Sequence, residues 1–83
     1  MMEFNQLVAD QVKTMDKLLF LESEIERCQK LEAELAELQQ LTEVQSVTIE
    51  INQMKEELKA IQSVFQEQTE QIVLTYQQEK LSV

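Results

Sequence analysis

The sequence has no glycine, no proline and no histidine, a single cysteine, and seven basic residues against sixteen acidic ones. Each shortage closes off a class of chemistry. Without glycine there is no loop to cradle a phosphate. Without histidine the commonest general base and metal ligand is missing, and one cysteine with no histidine is not an activated nucleophile pair. The expectation is therefore a protein that is not an enzyme, with no catalytic residue, no cofactor and no metal. A net charge of -9 argues against nucleic acid and anionic membranes, both of which attract lysine and arginine. The longest apolar run, Leu18 to Leu21, is far too short for a membrane span or a signal peptide. A cytoplasmic protein is expected.

What remains is abundant leucine, glutamate, glutamine and lysine in 83 residues, which describes one all-α unit, a helical rod rather than a globule. Its apolar residues fall into two stripes. Val47, Ile51, Met54, Leu58, Ile61, Phe65, Gln68 and Ile72 follow one another at steps of four and three, the seam of a coiled coil. Leu18, Leu21, Ile25, Cys28, Leu31, Leu35 and Leu38 form a comparable stripe with one short step. Between them Leu35, Leu38, Leu41, Val44 and Val47 are all three apart. Each such step lags by about 60° on a helix, so the stripe cannot run straight through.

Two structures satisfy that break. One is an antiparallel helical hairpin with arms at about residues 4–41 and 48–80 and a joint near 42–48; the other is one continuous helix in a parallel dimer. The β-branched residues Thr42, Val44, Val47, Thr48, Ile49 and Ile51 weaken the helix at the joint, although no glycine or proline marks a turn there. Folding about residue 45 sets Leu38 against Ile51, Leu35 against Met54, Leu31 against Leu58, Cys28 against Ile61 and Ile25 against Phe65. It also brings two wrapped apolar patches level, Leu18, Leu19, Phe20 and Leu21 with Ile72, Val73, Leu74 and Tyr76. The hairpin is the favoured reading, and those eight residues are its candidate interaction surface.

Several residues carry a narrower reading. Asn5 can cap the first turn, with Glu3 adding favourable charge there. The acids from Glu22 to Glu37 lie along a continuous helix without a calcium-binding loop, and read as a solvated face. Cys28 lies on the seam as a small apolar residue. Gln68, polar on the seam, fixes register. Val47, Ile49 and Ile51 alternate as a short strand would, but that strand would need a second chain.

The run TMDKLLFLESEIERCQ at residues 14–29, followed by an acidic leucine-rich stretch, resembles the YgaB-like family of short, functionally uncharacterised bacterial proteins. The resemblance implies a bacterial cytosolic setting and transfers no activity or site residue. The function expected from the residues is a protein-protein interaction or scaffold module acting through apolar helix faces. Its partner would be itself, as a homo-oligomer, or a helical protein. The alternatives are a chaperone-like holding module and an acidic regulator of another protein.

Overall fold

The computed structural model describes residues 2–81. They form two α-helices, α1 (Met2–Glu37) and α2 (Leu41–Leu81), folded antiparallel into a rod whose Cα atoms span 65 × 15 × 13 Å. The chain is the expected hairpin, but it reverses at Leu38–Gln40, and residues 42–48 are helical.

The reversal is built from backbone alone. Gln39 takes the left-handed conformation, φ 58°, while its N–H donates to the Ala36 carbonyl at 3.0 Å and the Gln40 N–H donates to the Leu35 carbonyl at 3.0 Å. These two bonds are the Schellman closure of α1. Gln40 then opens α2, its carbonyl accepting from the Val44 N–H at 3.0 Å. A non-glycine residue in this conformation costs about 1 kcal/mol, which is why nothing in the composition marks the turn.

The β-branched run stays helical because packing offsets its rotamer cost. Val47 and Ile51 are among the most buried side chains, and the Thr48 hydroxyl lies 2.8 Å from the Val44 carbonyl one turn back. The strand alternative for 47–51 is thereby replaced by helix. At the other end Asn5 lies inside α1 rather than capping it, with Glu3 in the first turn.

Burial redraws the seam as an unbroken heptad in both arms. On α1 it runs through positions 4, 7, 11, 14, 18, 21, 25, 28, 32 and 35, and on α2 through 44, 47, 51, 54, 58, 61, 65, 68, 72 and 75. Steps of three and four alternate without exception. Every expected seam residue of the second arm is in place. In the first arm Leu31 and Leu38 are exposed, and Glu32 takes the seam position assigned to Leu31.

The register also differs. Phe4 meets Tyr76, Gln11 meets Thr69 and Glu32 meets Thr48, three pairs symmetric about residue 40. Folding about 40 rather than 45 slides each partner by about ten residues, close to three helical turns. The same faces therefore meet at different levels, with Leu21 near Met54 and Ile61 along one groove. The core is a cluster of Leu21, Ile25, Cys28, Val47 and Ile51, joined by Leu35, Met54, Leu58 and Ile61.

Candidate interaction faces

Beyond that core the seam turns polar. Gln11 Nε2 donates to the Phe65 carbonyl at 3.2 Å and to Thr69 Oγ1 at 2.6 Å, and the Thr69 hydroxyl donates to the same carbonyl at 3.0 Å. Thr14 is buried and bonds the Asp10 carbonyl at 3.2 Å. Gln68 Oε1 is buried with no protein partner among the described residues. At this end of the rod the polar contact across the arms is made by Gln11, while the Gln68 carboxamide oxygen makes none among the described residues. Near the turn the Thr48 hydroxyl sits between the Glu32 carboxylate and the Val44 carbonyl and donates its single proton to one at a time. Cys28 is a buried free thiol.

The contacts distinguish the two long edges of the rod. Tyr76, Thr69 and Thr48 each stand four residues after a seam residue, and each touches the α1 row containing Phe4, Gln11 and Glu32. On α1 the residues four and one after that same row are Val8, Val12, Met15 and Leu19, so they border the same edge. In heptad terms these are the e and b positions. All four are exposed, as are Val73 and Tyr76 on α2, and together they form an apolar flank at the end of the rod away from the turn. Farther toward the turn the same flank carries Glu22 and Glu26 on α1 and Lys55 and Lys59 on α2.

The opposite edge holds the g and c positions. Two open, contiguous hollows of about 200 and 320 Å³ run along it, both lined by Lys17, Glu57 and Ile61. Phe20, 67% exposed, overhangs the larger one. This edge is strongly acidic: Glu3, Asp10, Glu24 and Glu34 on α1 and Glu43, Glu50, Glu57 and Glu67 on α2 face only Lys13, Lys17 and Arg27. Arg27 pairs with Glu24 at 3.0 Å, and that hydrogen bond raises its pKa further above any working pH. The apolar flank holds two acids, Glu22 and Glu26, against three lysines, Lys55, Lys59 and Lys80. The excess negative charge therefore lies on the rest of the rod.

This geometry breaks up the candidate surface read from the sequence. Leu21 is core, 7% exposed, and Leu18 and Ile72 are half-buried seam residues. Leu19, Val73 and Tyr76 lie on the apolar flank, whereas Phe20 and Leu74 lie on the acidic one. The two patches are not level either, because symmetry about residue 40 places them about 18 Å apart along the rod. The sequence reading missed Val8, Val12 and Met15. Their signal was a second stripe with steps of four, three and four beside the seam, hidden because the seam itself is polar at Gln11 and Thr14.

Among the described residues no group of histidine, cysteine, aspartate or glutamate side chains is placed to hold a metal, and no helix is long and apolar enough to cross a membrane. No solved structure matches the chain. An uncharacterised protein, YgaB, of Bacillus subtilis (strain 168) is 46% identical over 76 residues, covering 92% of this chain and 67% of that protein. The YgaB-like protein family model matches residues 3–79, nearly the whole hairpin, and the chain belongs to that family.

Proposed function

We propose that this protein is a non-enzymatic interaction module, a stiff hairpin that presents one apolar flank to another helical surface. The observation that carries the reading is the stripe Val8, Val12, Met15 and Leu19, four exposed apolar side chains at helical spacing. Single exposed apolar residues need no explanation, but a contiguous row beside a coiled-coil seam is the pattern by which a helix enters a groove between others. The photoreactive residue benzoylphenylalanine placed at Val12, and separately at the outward-facing Glu56, tests it in cells. Crosslinked products, to self or to another protein, are expected from position 12 and not from position 56. Equal yields from the two, or none from either, would remove the flank as a binding surface.

The eight acids against three bases on the opposite edge favour a second reading, an acidic regulator of a basic partner. Such binding would weaken steeply between low and physiological salt, whereas docking on the apolar flank would not.

A further inference from the structure

Resting on the apolar-flank reading, we infer that the occupant of that flank is a second copy of this chain, placed side by side with both turns at the same end to give a four-helix bundle. The argument is one of charge and register. A rod of net charge -9 repels its own copy on most faces, but the apolar flank carries two acids against three lysines and is free of that penalty.

A twofold axis along the rod would bring α1 of one copy over α2 of the other, antiparallel and at the same level. Position 22 then meets 59, position 26 meets 55, and position 8 meets 73, one constant register for the whole flank. Both acids of the flank fall opposite lysines, Glu22 on Lys59 and Glu26 on Lys55, while Val8 falls on Val73. Among the described residues none of these four charges is ion-paired within its own hairpin, so all are available to a partner. The other face-to-face arrangement, with turns at opposite ends, lays α1 on α1 and superposes no acid on a lysine of this set. A second copy thus finds Val8 on Val73 at one end, where Val12, Met15 and Leu19 lie over Thr69, Gln66 and Gln62, and opposite charges at the other, and the charges specify orientation as well as contact.

The test is a charge swap on the full chain. One variant carries Glu22→Lys and Glu26→Lys, and the other carries Lys55→Glu and Lys59→Glu. In sedimentation equilibrium each variant alone should show a dimer dissociation constant raised by about tenfold or more, with helical content by circular dichroism retained. Mixing the two should restore association, because every like-charged pair then becomes an opposite one; misfolding of the separate chains would not be repaired in this way. Spin labels at Glu37 in a Cys28→Ser background should report a distance under about 35 Å, against about 70 Å for turns at opposite ends. A wild-type chain that stays monomeric at concentrations of about 100 µM, a mixture no tighter than its parts, or the longer distance would each overturn the inference. A monomeric wild type that still crosslinks to another protein from position 12 would leave the interaction reading standing and remove only the second copy as occupant.

Discussion

The half of the rod near the turn and the half away from it are built on the same heptad but filled differently. From Leu21 to Ile61 the seam is almost entirely aliphatic, and every member of the buried core cluster lies there. Away from the turn Gln11, Thr14, Gln68 and Thr75 occupy seam positions, and the two threonines are the buried polar residues of the described chain. Aliphatic layers stabilise in proportion to area but match one another at any three-turn shift. A polar layer contributes less and tolerates fewer alignments, because a displaced amide loses its partner. One half supplies stability and the other supplies alignment. The half with fewer buried aliphatic layers is also the one that exposes the apolar flank.

The widest separation between the halves should come from matched truncations. Ile51→Ala, in the core at 4% exposure, is expected to cost ~2–4 kcal/mol. Ile72→Ala, on a half-exposed seam position, should cost ~1 kcal/mol or less, since part of its surface never leaves water. Urea melts followed by circular dichroism would measure both, and equal losses would mean that the two halves do not differ in stability.

A smaller effect separates the two seam glutamines. Gln68→Leu removes a buried oxygen that has no partner among the described residues and should raise stability by ~1–2 kcal/mol without altering alignment. Gln11→Leu removes the cross-arm bonds to Phe65 and Thr69 and should broaden the distance distribution between spin labels at Asp16 and Ser63. Narrow distributions in both variants would show that alignment is set elsewhere. The smallest expected change lies at the turn, where Gln39→Gly relieves the left-handed conformation and should add ~0.5–1 kcal/mol. A loss of stability on that change would count against the turn geometry.

The hairpin and most of its seam were legible in the sequence because a heptad repeat needs only apolar spacing. The place of reversal was harder to read. Loss of phase between Leu35 and Val47 was a true signal, but the β-branched run at 42–51 drew the joint toward itself, whereas the turn used two glutamines and backbone bonds. The mirror pairing about residue 45 failed for a related reason: a shift of about three turns keeps the same faces in contact, so apolar matching alone could not choose between centres. At position 31 hydrophobicity preferred leucine, but the unbroken heptad requires position 32. There the stem of Glu32 lies over the seam and its carboxylate reaches Thr48. The candidate surface does not form one face because consecutive residues in a run such as Leu18 to Leu21 point around the helix, two into the seam and one to each flank.

The three-residue turn has a consequence for how such a rod can change length. Because the reversal occupies only Leu38–Gln40 and fixes the centre of symmetry near residue 40, it acts as the origin from which both arms are counted. Seven residues added to one arm alone would preserve that arm's own stripe while moving everything beyond the insertion two turns out of step with its partner. Seven added to each arm at equal distances from the turn would lengthen the rod by about 10 Å and leave every existing pair intact. Insertions and deletions compatible with this fold should therefore occur as balanced pairs, one on each side of Gln39.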